Sequence, residues 1–259
     1  MDLLSIGKDA KTIKGEKFGV LTAIQYLAPA RESGIANLCP FSSPGCASSC
    51  LYTAGMGSIP LSDPRSPNLA RIARTVLFMK DRSAYWTQLI FEIARHERNA
   101  HKLGMIPAVR LNGTSDVKWE STPVTIRGIT PDPRLGAVSG TSIMALFPNV
   151  RFYDYTKWPY EKRPTESLPS NYDLTFSRSE DNDPEVLHNL NNGRRVAVVF
   201  NTKPSDPAPL TYTTTDNGIW PVVDGDQSDV RFNDAPGVVV ALHAKGKARR
   251  DQSGFVVQI

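Results

Sequence analysis

All three cysteines of the chain, Cys39, Cys46 and Cys50, stand in one stretch, NLCPFSSPGCASSCLYTAGMG, which runs from Asn37 to Gly57. Core cysteines scatter through a sequence and do not collect in a loop of Pro, Ser and Gly, so thiols gathered this way point to metal chemistry. Cys46 and Cys50 form an i, i+4 pair, and one helical turn sets both sulfurs on one face. Six residues separate Cys39 from Cys46, and Pro40, Pro44 and Gly45 among them supply the turn chemistry that folds Cys39 back. The intervening Ser, Ala and Gly side chains are small, which lets backbone N–H groups approach sulfur and stabilise thiolates.

Structural zinc wants four protein ligands and short Cys-x(2–4)-Cys pairs. Only Cys46 and Cys50 fit that spacing, and a fourth ligand would have to come from His96, His101, His188, His243 or a carboxylate. An iron–sulfur cube tolerates three protein thiolates and leaves one iron open to a substrate or cofactor; loss of that iron gives the three-iron form. The expected cofactor is a [4Fe-4S] cluster on Cys39, Cys46 and Cys50. The alternatives are [3Fe-4S], zinc and unliganded thiols, including a reactive nucleophile.

The elements that must position the loop read as alternating strands and helices. FGVLTAIQYLAP, from Phe18, is a β-rich apolar run ended by Pro29, and the cysteines follow it. Ser66 and Pro67 open a helix whose apolar positions are Leu69, Ile72, Ala73, Val76 and Leu77. A second helix is expected from Arg82 to Lys102, with Trp86, Leu89, Ile90, Ile93 and Ala94 as its buried stripe and Gly104 as its stop. Six short buried strands with polar tails come next: IPAVRLNGTSD, NVRFYDYTK, YDLTFSRSE, RRVAVVFNTK, WPVVDGDQSD and GVVVALHAKGK. Helix-like pieces such as DPEVLHNLNNG, stopped by Gly193, lie between several of them. NTKPSDPAPLTYTTTDNG, Pro- and Thr-rich, reads as a surface excursion.

Continuous apolar strands joined by crossover segments imply a parallel sheet covered on both faces. The expected fold is α/β, a (β/α) barrel-like or partial barrel of mostly parallel strands, organised as one domain over residues 1–259. Functional groups of that architecture sit at the carboxyl ends of the strands. The tails place Asn112, Gly113, Thr114, Asp116, Lys157, Arg178, Glu180, Asn201, Asp224 and Lys245 there as candidate cofactor- or substrate-binding residues, over a polar mouth holding a small-molecule ligand. Any single tail, read alone, is more often a turn than a site.

Composition narrows the class. With 40% hydrophobic and 22% charged residues the chain folds, and a net charge of +4 does not by itself demand a nucleic-acid partner. No run of about 18 apolar residues is present, so no membrane span is expected. The start, MDLLSIGKDAKTIKGEKFG, lacks a secretory pattern, and a reducing cytoplasm is the expected setting. The acidic run Asp224, Asp226, Asp229 and Asp234 reads first as a solvated turn and second as a hard-cation or hydroxyl-binding group. The basic run His243 to Arg250, HAKGKARR, reads as a solvated loop or as a contact for RNA or a host protein. Phosphate-binding loops, dinucleotide fingerprints and nucleophile elbows are absent from the sequence.

The blocks LCPFSSPGCASSCL, RLNGTSD, FYDYTK, LTFSRSE, VAVVF, VVDGDQSDVRF and ALHAKGKARRDQSGFV resemble those of an actinobacteriophage family named after gene product eighty-eight. That resemblance spans nearly the whole chain and implies a phage protein made in a bacterial host cytoplasm. More loosely, the chain is similar to radical S-adenosylmethionine enzymes, which carry three cysteines in the loop after the first strand of a full or partial barrel. In them the open iron of a [4Fe-4S] cluster binds S-adenosylmethionine. Their cysteines are separated by three and then two residues, against six and then three here, and Ser49 replaces the aromatic residue before the last cysteine. Asn112, Gly113 and Thr114 would correspond to their glycine-rich segment after the second strand. Two functions are therefore expected: a cluster protein with catalysis at an open iron, or a non-catalytic phage effector whose cluster, or zinc, is structural or redox-sensing.

Overall fold

The structure, a computed structural model, describes residues 1–7, 10–126 and 140–259. It is a mixed α/β chain with an open, mostly parallel nine-stranded sheet in the order β1-β2-β3-β4-β5-β6-β9-β8-β7. The strands are β1 (Leu4–Ile6), β2 (Val20–Gln25), β3 (Ile106–Arg110), β4 (Arg151–Thr156), β5 (Tyr172–Ser177), β6 (Val196–Phe200), β7 (Thr211–Thr213), β8 (Ile219–Asp224) and β9 (Val239–His243). The helices are α1 (Ala10–Glu16), α2 (Pro44–Ser48), α3 (Pro67–Lys80), α4 (Arg82–Lys102), α5 (Ile143–Leu146) and α6 (Asp183–Asn191). No helix among the described residues is long and apolar enough to cross a membrane.

The parallel α/β character follows the sequence reading, but closure into a barrel does not. β1 pairs antiparallel with β2, and β8 pairs with β9 on the side away from β6, with β7 antiparallel beyond it. The free edges that β2 and β9 would need for each other are thus taken. Both outer strands, β1 and β7, are only three residues long, which limits the unpaired edge the sheet presents. β7 lies inside the Pro- and Thr-rich segment read as a surface excursion.

The chain divides into two compact units. The first comprises Met1–Leu38, Leu69–Asp154 and Leu168–Asp173; the second comprises Cys39–Asn68, Tyr155–Ser167 and Leu174–Ile259. In the first, all six residues of β2 are buried, as a strand covered on both faces requires. Along α4, Trp86, Leu89, Ile90 and Ile93 are buried as their spacing predicts. On α3 the expected stripe is displaced: Leu69 and Val76 are 39% and 37% exposed, whereas Thr75 and Phe78 are buried. Thr75 is inside because its Oγ1 accepts the Ala28 N–H at 2.9 Å while donating to the Arg71 carbonyl at 3.0 Å. A backbone donor at the end of the first parallel strand would otherwise be unsatisfied. In the second unit, Phe176, Val186, Leu190, Val196, Val198, Phe200, Val239 and Ala241 form a contiguous apolar core.

The buried His96 on α4 fixes β2 to β3. Its Nε2 lies 3.0 Å from the Leu21 carbonyl and 3.1 Å from that of Ala108, so Nε2 carries the proton both oxygens share. Nδ1 has no partner among the described residues. Burial pulls the ring's pKa below its ordinary value of 6.5, against the raising effect of the two carbonyls. The unfolded chain therefore takes up a proton that the folded chain refuses. Stability should be level above about pH 6.5 and fall as the pH drops below it, by up to about 1.4 kcal/mol per pH unit. Urea midpoints measured at about pH 7.5 and 5.5 should show this loss in the wild type, and His96→Gln should flatten it.

Candidate metal centre

The cysteine segment folds as loop, short helix and 3-10 turn within the second unit. At its start the Cys39 carbonyl accepts from Ser42 N–H (3.2 Å) and Ser42 Oγ (2.9 Å), which closes the first turn. Ser43 then caps α2, its Oγ accepting the Cys46 N–H at 3.1 Å, with Pro44 in the first helical turn. Cys46 stands on α2, and Ser49 ends the helix. Cys50 opens the 3-10 turn Leu51–Thr53, and its Sγ accepts the Tyr52 N–H at 3.5 Å. The i, i+4 pair is thus a helical residue and the residue just past the helix end.

The three cysteines lie close together, half-buried, and none forms a disulfide. Their sulfurs are not within 4.8 Å of one another as a set; among the described residues only Asp224, Asp226 and His243 bring three ligating atoms that close. A single zinc at about 2.3 Å from each thiolate would draw tetrahedrally placed sulfurs to about 3.8 Å.

Two carboxylates from later in the chain hold this segment. Glu180, just past β5, accepts Ser43 Oγ–H at 2.8 Å on one oxygen and Gly45 N–H at 2.6 Å on the other. Gly45 has to be glycine for this: a Cβ there would sit 2.6 Å from both Glu180 carboxylate oxygens and would also strike Ser253 Oγ. Asp251 accepts Ser49 Oγ at 3.3 Å, Ser253 Oγ at 2.7 Å and the Val256 N–H at 3.0 Å. Burial would push its carboxyl up, but the hydrogen bonds from Val256, Ser253 and Ser49 outweigh it and hold the group below the usual carboxylate range. Cys46 packs beside a small cluster of Ala244, Ala248, Phe255 and Val256. Gly246, at φ +57°, lets the 3-10 turn Gly246–Arg250 lie against Ala54.

The other residues read from the strand ends are largely engaged in structure. Lys157 donates its ammonium to the Ser177 carbonyl (3.0 Å), Ser177 Oγ (2.8 Å) and the Arg178 carbonyl (3.1 Å), and lies 5.4 Å from the Phe255 ring. Arg178 holds the Gly254 and Phe255 carbonyls and pairs with Asp183 at 3.4 Å. Asn201 ties the C-terminal residues through Val257, Gln258 and Ile259. Asp224 accepts the Asp226 N–H at 2.9 Å; Asp226 accepts the His243 N–H at 2.8 Å and pairs with Lys245. Burial acts to raise Asp226, and the His243 N–H and the Lys245 ammonium together bring it below its ordinary value.

Asn112, Gly113, Thr114 and Asp116 belong to the first unit and knit its loops. Asn112 Oδ1 accepts from Ser115 Oγ, Val117 N–H and Trp119 Nε1, and its own N–H donates to Asp154 at 2.6 Å. Gly113 donates to the Gln25 carbonyl at 2.9 Å, where a Cβ would come within 2.5 Å of that oxygen. Thr114 Oγ1 donates to the Leu27 carbonyl, and Asp116 N–H to that of Leu38. Residues that sequence reasoning missed are Ser43, Asp251 and Ser253; Gly45 was read as turn chemistry and not as the seat of the Glu180 carboxylate. Ser43 before Pro44 is a legible helix start; nothing local marks Asp251 as a partner of Ser49.

Breaking the Glu180 clamp should loosen the cysteine segment. Gly45→Ala and Glu180→Ala should each cost about 1–3 kcal/mol and lower Tm by several degrees. The double variant should cost clearly less than the two losses added, because both changes remove the same contact. Thermal melts of the four proteins measure that coupling.

The comparisons with known proteins come down to one match. No curated protein and no solved structure matches the chain, so nothing among them supports the looser likeness to radical S-adenosylmethionine enzymes. A family model described as Gene product 88 covers residues 3–259, and the chain belongs to that phage family.

Proposed function

We propose that this protein binds an iron–sulfur cluster through Cys39, Cys46 and Cys50, as [4Fe-4S] with one iron lacking a protein ligand or as [3Fe-4S]. The observation that carries the reading is the arrangement of the thiols. The chain's whole complement of cysteine is close together, half-buried and outside disulfides, and three thiols match the ligand count of a cluster with one open iron. The backbone N–H on Cys50 Sγ is of the kind that stabilises bound thiolate. The strand order supports it as well. β2, β3, β4, β5, β6 and β9 follow one another without reversal, which is the winding of a partial (β/α) barrel, and the cysteines come after the first of them.

In this reading the chain's own groups do the holding. Glu180 anchors the N-terminus of α2, Asp251 anchors Ser49 at its end, and Ala248 and Phe255 close the apolar side of Cys46. A bound cluster supplies redox-active iron and, at an iron without a protein ligand, a Lewis acid. A second reading, in which the cluster is structural or redox-sensing and the protein is a non-catalytic phage effector, is favoured by one observation. Lys157, Arg178, Glu180 and Asn201 spend their polar atoms on structural ties rather than on an open pocket.

Purification without oxygen should give a brown protein with broad absorption near ~400 nm and stoichiometric iron and acid-labile sulfide. Cys46→Ala should remove the colour. A colourless protein with stoichiometric zinc, or with no metal after anoxic reconstitution, overturns the proposal. Reduction in the presence of S-adenosylmethionine separates the two readings: cleavage marks a catalytic open iron, and persistent failure to cleave marks the effector.

A further inference from the structure

We infer that the second unit docks single-stranded nucleic acid beside the cysteine segment, with phosphates on Lys247, Arg249 and Arg250 and bases on the Phe41–Trp158 ring pair. The inference goes beyond cluster binding and does not need it.

The cations come first. The 3-10 turn Gly246–Arg250 buries only Ala248, which packs with Ala244, Phe255 and Val256 and against Cys46. That single buried methyl leaves Lys247, Arg249 and Arg250 exposed on a turn held fast at its centre. None of the three has a carboxylate partner among the described residues; Arg249 touches only the Ala244 carbonyl, through Nε. The neighbouring acids Glu180, Asp251 and Asp226 are engaged elsewhere. Glu180 is taken by Ser43 and Gly45, Asp251 by Ser49, Ser253 and Val256, and Asp226 by Lys245 and His243. Three exposed cations on one five-residue turn, none with a carboxylate partner among the described residues, are the electrostatic footprint of a polyanion site.

The rings make the polyanion a nucleic acid. Phe41, inside the cysteine segment, lies 4.6 Å from Trp158 between ring centroids, and the Lys162 ammonium is 5.1 Å from the Phe41 ring. Both rings are half-buried, so part of each is open, and Lys162 is exposed. Aromatic faces beside cations serve bases, which stack whatever their identity; an acidic peptide has no use for them. The two features are joined through the chain. Lys157, next to Trp158, lies over Phe255, and Phe255 packs on Ala248 at the centre of the basic turn. Flexible single strands can present both backbone and splayed bases to such a surface, whereas a duplex keeps its bases stacked away.

The test is fluorescence anisotropy of a labelled, roughly 20-nucleotide oligo(dT) and its ribo-equivalent with the full chain, over a series of salt concentrations. The wild type should bind both, more weakly as salt rises. Lys247→Gln/Arg249→Gln/Arg250→Gln should lose at least about tenfold in affinity and make the log–log salt slope shallower by about 2, the value for three lost phosphate contacts on a single strand. Phe41→Ala should weaken oligonucleotide binding and leave binding of inorganic polyphosphate unchanged. Lys162→Gln tests the same platform without touching the cysteine segment, should the Phe41 variant fail to fold. No binding by the wild type at about 50 mM salt overturns the inference, as does a triple variant with unchanged affinity and slope. Binding of polyglutamate as tightly as oligonucleotide, insensitive to Phe41→Ala and Lys162→Gln, assigns the surface to an acidic protein instead. Visible absorption is recorded separately, so absence of a cluster and absence of oligonucleotide binding are distinct results.

Discussion

The carboxylate of Glu180 on the first turn of α2 is the constraint from which the cysteine segment takes its shape. A five-residue helix has almost no stability of its own, because nucleation costs more than so few hydrogen bonds return. What makes it persist is that its exposed N–H groups are met. Ser43 Oγ takes that of Cys46 and Glu180 takes that of Gly45, while the Ser43 hydroxyl proton goes to the second Glu180 oxygen. One acidic side chain thereby sets the position of the cap, the absence of a side chain at residue 45 and the placement of Cys46. Anything larger than glycine at 45 would push the carboxylate off.

The first unit uses buried polarity differently. His96 shares one proton between carbonyls of adjacent parallel strands, and Asn112 gathers three donors on a single oxygen while Asp154 receives its N–H and the Tyr172 hydroxyl. Asn and Asp at the ends of strands are ordinarily candidates for ligand binding. Here Asn112, just past β3, and Asp154, within β4, are buried with their oxygens met by loop N–H groups and side-chain donors, and burial without those bonds would be costly. The groups are polar because the loops between strands are buried, and the network substitutes for the regular ladder that those loops lack.

Patterns that depend on neighbours in sequence were legible. The start of α3 at Pro67 followed from Ser66-Pro67, and the span of α4, Arg82–Lys102, from the run ending at Gly104. The strands β2, β3, β4, β5, β6, β8 and β9 were all visible as apolar runs. What depends on partners far along the chain was not. Sheet order was hidden because β8 and β9 both read as apolar runs, although β8 is in fact half-exposed, and nothing local says that β8 pairs outside β9 rather than between β6 and β9. The α3 stripe was misplaced because Thr75 is inside for the sake of a backbone donor 47 residues away. At the candidate centre the cysteines themselves were plain from their spacing. The groups that hold them, Glu180 and Asp251, lie about 130 and 200 residues further on, beyond the reach of any periodicity or motif.

Charge shows the same division between whole and part. A net +4 over 259 residues argues for no particular partner. Electrostatic attraction in salt reaches only about 8–10 Å, so a partner senses the few charges in front of it and not the total. Glu180 and Asp251 keep their charge in fixed positions set by N–H and hydroxyl donors, whereas Asp226 is paired locally with Lys245. Lys247, Arg249 and Arg250 are exposed on one short turn with no carboxylate partner among the described residues, so their charges add there. The fold therefore converts a nearly balanced composition into a locally unbalanced surface. It does so on the turn Gly246–Arg250, which places Lys247, Arg249 and Arg250 together.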